Sequence, residues 1–283
     1  MCARQLTYPV LVGFFLAGVV TAQETVQSPD QHALFSTVFY PASAENRTSV
    51  AFKPLHRWLV AAPEDEAREI LAMLRAEITT TNSPDNVFSA GILLSRRPDL
   101  TSAAVVLDAI EIRAGVETRL DSAAMCVHKH VQARLWEALA NMLCRLSPAD
   151  RDVLADGVID NASKVISSPG EWQLVSEGAV SCLPCLGDVG FRLLDAIARD
   201  PDRRRRAGDA LPWELSQTGD PRALETIVLL YDVGRRGRGC TGSLHAMGNL
   251  TARLDKAGVP VPEASRAAAW LRIQQHLLDE DDQ

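Results

Sequence analysis

LGDVGFRLLDAIARD (186–200) and TGDPRALETIVLLYD (218–232) are two versions of one pattern. Gly187-Asp188 and Gly219-Asp220 stand 32 residues apart, and apolar residues at helical spacing follow each pair. Further on, RRRRAGDAL (203–211) resembles RGRGCTGSL (236–244), offset by 33, and upstream CLP (182–184) mirrors ALP (210–212), offset by 28. A drifting period near 31 with two helices per unit marks a quasi-one-dimensional helical array, in which each unit buries its apolar face against its neighbours.

The rest of the chain agrees with helix and offers no strand. Apolar residues make up 47% of 283 positions and aromatics only 5%; Ala and Leu dominate, and both favour helix. Ile70, Leu71, Leu74 and Ile78 share one face of a helix that starts after Pro63. Glu64, Asp65 and Glu66 lie in its first turn, where carboxylates suit the helix dipole. Leu224, Ile227, Val228 and Tyr231 keep the same spacing, as do Val127, Val131, Leu135, Leu139, Met142 and Leu146 over a longer helix. The breakers NSPD, RRPD, LSPAD, SSPG, GDPR and GVPVP separate the segments. Ten to twelve short helices are expected.

GDPRALETIVLL (219–230) resembles the first helix of a short bacterial HEAT-like repeat, and DPDRRRRAGDAL (200–211) is similar to the second, with its acidic turn, arginine, alanine and leucine. The resemblance is clearest over 171–257 and implies an all-α fold, a right-handed solenoid of paired antiparallel helices, spanning 53–281. Pro184 and Pro212 depart from the family and imply kinks or early stops in second helices. The likeness extends to HEAT-like chromophore lyases, which implies handling of a bound small molecule as one further reading.

MCARQLTYPVLVGFFLAGVVTA (1–22) is laid out as a secretory signal peptide: Arg4, an apolar run from Val10 to Val20, and Val20-Thr21-Ala22 before a cut at Gln23. The run is short for a membrane span, and no other segment is long enough, so no transmembrane helix is expected after cleavage. Residues 23–52 are polar and are expected to form a poorly ordered leader. Arginine outnumbers lysine 25 to 4, the usage of a GC-rich bacterial genome, which makes the expected destination periplasmic or secreted. There five cysteines would remain, Cys126, Cys144, Cys182, Cys185 and Cys240, an odd number in an oxidising compartment.

SCLPCLGD (181–188) holds the one Cys-x-x-Cys. Cys182 aligns with Ala210 and Cys185 with Trp213, which reads both as packing positions; their i, i+3 spacing also allows a local disulfide or a metal or redox role. Nothing completes a zinc site or a haem attachment. In CVHKH (126–130), Cys126 and His130 share a helix face, and the histidines read as a solvated rim. Cys126 and Cys144, on one continuous helix, are not expected to pair. Arg203, Arg204 and Arg206 recur as Arg235, Arg236 and Arg238 at an offset of 32. Stacked along one edge as surface turns, they would bind carboxylates or phosphates and cost little stability to replace. The formal charge of −7 speaks against nucleic acid. No nucleophile elbow, zinc-protease motif or phosphate loop is present, and no cofactor is expected. The function read from these features is an exported scaffold holding an acidic protein partner on a helical surface. The rival is a thiol- or metal-dependent enzyme, or a small-molecule handler, built on Cys182 and Cys185.

Overall fold

The computed structural model describes residues 30–40, 49–80, 83–114, 122–168, 172–234 and 240–281. They form fourteen α-helices, one 3-10 turn and no strand. The helices are α1 Gln31–Phe39, α2 Ser49–Ala61, α3 Glu64–Thr80, α4 Pro84–Arg96, α5 Leu100–Ala114, α6 Ser122–Leu143 and α7 Pro148–Ser167. After them come α8 Gln173–Ser181, the 3-10 turn Leu183–Leu186, α9 Gly187–Arg199, α10 Pro201–Ala207, α11 Ala210–Gln217, α12 Ala223–Gly234, α13 Cys240–Ala257 and α14 Glu263–Asp281. No described helix is long and apolar enough to cross a membrane. The proposed signal peptide lies outside the described residues.

Local chemistry sets most boundaries. Ser83 and Ser147 cap α4 and α7 by accepting from Asn86 N and Asp150 N, each with proline at the first helical position. Asp99 accepts from Ser102 N at 2.7 Å and so opens α5. Gly187 and Gly219, the matched pair of the sequence repeat, both take left-handed backbone, with φ of 64° and 66°, which glycine alone adopts without strain. Pro184 stops α8 early, as its ring requires. Pro212 falls in the first turn of α11, where a missing N–H costs nothing.

Packing follows chain order. Helices touch their immediate neighbours (α1·α2, α3·α4, α5·α6, α7·α8, α11·α12, α12·α13) and also those two along: α1·α3, α3·α5 and α5·α7 on one side, α2·α4, α4·α6 and α6·α8 on the other, with α11·α13 and α12·α14 beyond. One continuous apolar core runs through all of them. In α6, Leu135, Trp136, Leu139, Met142 and Leu143 are all buried in it. Gly178 of α8 comes so close that a Cβ there would lie 2.9 Å from the Cβ of Trp136. In α9, Phe191, Leu194, Ile197 and Ala198 are buried; in α12 so are Leu224, Ile227, Leu230 and Tyr231, each 33 residues on. The burial offset exceeds the Gly-Asp offset by one because Pro221 and Arg222 form a turn before α12 begins.

Several expectations need correction. Within the expected poorly ordered leader 23–52, residues 31–39 form a helix, and Phe35, Val38 and Phe39 join the core. Phe35 and Phe39 stack at 4.4 Å, and Asn86 donates to the Phe39 carbonyl. The apolar pairing of α1 with α2 outweighs the polar average of that segment. Val127 is exposed although it fits the α6 pattern. The alignment of Cys185 with Trp213 does not carry to burial: Cys185 is buried and Trp213 is 48% exposed, because Cys185 sits on the 3-10 turn and Trp213 on α11.

Two glycines give opposite predictions. A Cβ on Gly190 would overlap the backbone carbonyl of Leu183, whereas Gly248, within α13, has nothing within 4 Å of a Cβ. In urea unfolding, Gly190→Ala should lose about 3 kcal/mol, since a backbone group must move, and Gly248→Ala should gain about 0.5–1 kcal/mol of helix propensity.

Candidate functional site

The arginines that recur in sequence start on α10. Asp200 caps this helix, accepting from Asp202 N at 2.9 Å and Arg203 N at 3.1 Å, and Gly208 closes it with φ of 63°. The cluster is therefore a short helix, not a turn. Its arginines divide into two kinds. Arg204 donates to the carbonyl of Ala198 at the end of α9, and Arg206 to that of Ile166 at the end of α7. Both satisfy helix-end carbonyls that have no partner within their own helix. Replacing them would thus cost stability, contrary to the sequence expectation. Arg203 pairs with Asp200 and Arg205 with Asp202 at the surface. Arg205 was not singled out by the repeat because its equivalent is Gly237, yet its side chain is 77% exposed, against 38% for Arg203. Arg204 and Arg205 line a cleft of about 400 Å³ bounded also by residues of α8, α11, α12 and α13. Arg235, Arg236 and Arg238 lie outside the described residues, so their placement beside α10 stays an expectation.

The repeat's aspartates have a defined place. Arg222 pairs with both Asp188 and Asp220, the two residues matched at 32, and lies over the Phe191 ring at 4.5 Å. Its hydrogen bonds hold both carboxyls below their ordinary range. Thr226 of α12 donates to Asp195 of α9 at 2.6 Å. These contacts tie α9 to the first turn of α12 and to the turn that precedes it.

Cys182 and Cys185 are both buried, as packing positions are, but they do not bond to each other. Cys185 is disulfide-bonded to Cys144, which follows α6, with Cα atoms 5.1 Å apart; there is no Cys182–Cys185 bond. Stacking of α6 on α8 and the 3-10 turn brings Cys144 to Cys185, a register that sequence spacing alone does not reveal. Closing a loop of 41 residues stabilises the fold by about 4 kcal/mol on chain-entropy grounds. Cys182 is a fully buried thiol donating to the Trp136 carbonyl at 3.4 Å. Burial pushes its pKa well up, and the negative charge of Glu214 adds to this. A thiol so placed is a poor nucleophile and a poor metal ligand. Cys126 is a free, exposed thiol and does not pair with Cys144. Among the described residues no three or more His, Cys, Asp or Glu side chains are grouped to hold a metal.

In CVHKH the histidines do not form a solvated rim together. His130 is exposed, but His128 is buried, its Nε2 2.8 Å from the Arg113 carbonyl at the end of α5. Comparison with protein-family models, curated proteins and solved structures finds no match to this chain.

Glu214 of α11 is a largely buried carboxyl whose titration bears on folding. Burial raises its pKa from 4.5 to about 7. The folded chain therefore binds one more proton than the unfolded chain between those values. Stability should fall as pH rises from about 4.5 to about 7, by at most about 3 kcal/mol from this group. Urea unfolding of Glu214→Gln across that window should show a flatter slope than the parent; equal slopes would contradict the assignment.

Proposed function

We propose that this chain is an exported, HEAT-like scaffold: a right-handed solenoid of paired antiparallel helices that holds an acidic protein partner along its arginine edge. The observation that carries the binding site is the cleft whose wall Arg204 and Arg205 supply on a chain of net charge −7. Clustered guanidinium groups on an acidic protein select carboxylates by geometry as well as charge. The packing of helices on neighbours and on next-but-one helices supports the solenoid, as does the Arg222 bridge between matched aspartates. The Cys144–Cys185 disulfide supports export to an oxidising compartment such as the periplasm. Arg235, Arg236 and Arg238 would extend the strip begun by Arg203, Arg204 and Arg206. The rival thiol- or metal-dependent reading is weakened by the state of its two residues, one tied into a disulfide and the other buried as a thiol.

A photo-crosslinking side chain placed at Arg205 should trap one acidic protein in the native compartment, and one placed at Val153, exposed on α7, should not. Yield at position 205 should drop in ~0.5 M salt, which screens exposed charges beyond a few ångströms. A variant carrying Arg203→Ser, Arg205→Ser, Arg235→Ser and Arg236→Ser keeps the Arg204 and Arg206 caps, so it should fold normally and lose the partner. Equal trapping at both positions, or binding by the folded variant, would refute the arginine edge as the binding site.

A further inference from the structure

We infer that the cleft beside α10 is a socket for the free carboxylate terminus of a polypeptide that ends in an apolar residue. This rests on the scaffold reading and names what the partner presents to it. Three kinds of group meet in the cleft. The first is cationic. Arg204 gives one N–H to Ala198 and Arg205 pairs with Asp202, but a guanidinium carries five donors in a fork that matches a carboxylate. The second is the start of α11, an eight-residue helix preceded by Asp209, whose side chain makes no capping bond. Pro212 has no N–H, so Ala210 and Leu211 supply the free donors at this start, and such donors point out along the helix dipole. The third is Ser243, on the first turn of α13. It lines the cleft and is 1% exposed, and its hydroxyl has no hydrogen-bond partner. An unpaired buried hydroxyl costs free energy unless something fills it, and a carboxylate oxygen does so by accepting its proton.

The remaining walls set what the carboxylate is attached to. Leu211 of α11 and Leu230 of α12 give the cleft an apolar side, and its volume of about 400 Å³ is near the lower limit of ligand sites. That suits one or two residues at the end of a chain rather than a large cofactor. Asp209 also lines the cleft. It repels a carboxylate and would attract a free α-ammonium, so its replacement separates a peptide end from a free amino acid.

The test is calorimetric titration of the intact disulfide-bonded protein with N-acetyl-alanyl-leucine, its C-terminal amide, and free leucine. The acid should bind at least roughly tenfold tighter than the amide, because hydrogen bonds to a charged group are worth about one or two factors of ten. Ser243→Ala and Arg205→Gln should each weaken the acid by about tenfold, on the same grounds. Asp209→Asn should tighten it several-fold, and Arg192→Gln, away from the cleft, should leave it unchanged. Circular dichroism melting of each variant confirms that it is folded. Equal binding of acid and amide, no binding of the acid by Asp209→Asn, or indifference to Ser243→Ala and Arg205→Gln would overturn the socket. Free leucine binding better than the peptide, and weakened by Asp209→Asn, would overturn the peptide-end assignment in favour of a zwitterion. A protein that is crosslinked to its partner at Arg205 yet ignores the peptide loses only this inference. One that binds the peptide but traps no partner keeps the socket and loses the scaffold.

Discussion

Arginine side chains that close the open ends of neighbouring helices recur through this structure, and they join the ends of several helices that also pack on one another. Arg97, just past α4, donates to the carbonyls of Leu59 and Ala62 at the end of α2. Arg145, just past α6, donates to Ser95 and Arg96 at the end of α4. Arg253 of α13 does the same for Ser216 at the end of α11, and Arg206 of α10 for Ile166 of α7. In the first three cases the donor belongs to the helix two along, the one that packs beside the capped helix. The last carbonyls of a helix have no partner inside it, and a guanidinium satisfies them while placing positive charge at the negative end of the dipole. Lysine offers one compact head with no planar fork. An excess of arginine that reads in composition as genome bias thus has structural work to do.

Those caps tie together the ends of helices that are not consecutive in the chain. Between α8 and α9 the chain turns through the 3-10 segment Leu183–Leu186, held by Arg151 on the Cys185 carbonyl at 2.9 Å and by the disulfide to Cys144. Beyond that joint, α10 is short because Pro201 starts it and Gly208 stops it. Its brevity brings the start of α11 to the cleft that α10 and the first turn of α13 also line. Arg204 belongs to both systems, capping α9 while lining the cleft. The proposed binding edge and the capping of α9 therefore share a residue.

The legible parts of the fold were those set by neighbours in sequence. The start of α3 at Glu64 and its buried face of Ile70, Leu71, Leu74 and Ile78 are local matters of charge and spacing, and both could be read directly. So could the all-helical class and the matched glycines at 187 and 219. What sequence concealed were facts of register between distant helices. Cys185 stands three residues from Cys182, yet its partner is Cys144, 41 residues away. His128 lies two residues from exposed Cys126 and His130, yet it is turned inward onto the end of α5. Of the candidate site, the arginines of α10 were found by their repetition, but spacing could not tell that two of them cap helices. Nor could it single out Ser243, an ordinary serine marked only by its burial without a partner at the edge of the cleft.

Arg145→Lys tests the central claim, that guanidinium caps help hold α2 to α4, α4 to α6 and α11 to α13. The change keeps the charge and most of the stem and removes the fork. Equilibrium urea unfolding should show a loss of about 1–3 kcal/mol, the range for a charge-assisted hydrogen bond at a partly buried carbonyl. Arg192→Lys, an exposed i, i+4 partner of Asp188, should change stability by less than about 0.5 kcal/mol. If Arg145→Lys is as harmless as Arg192→Lys, the helices are held by apolar packing alone and the guanidinium caps contribute nothing to their stacking.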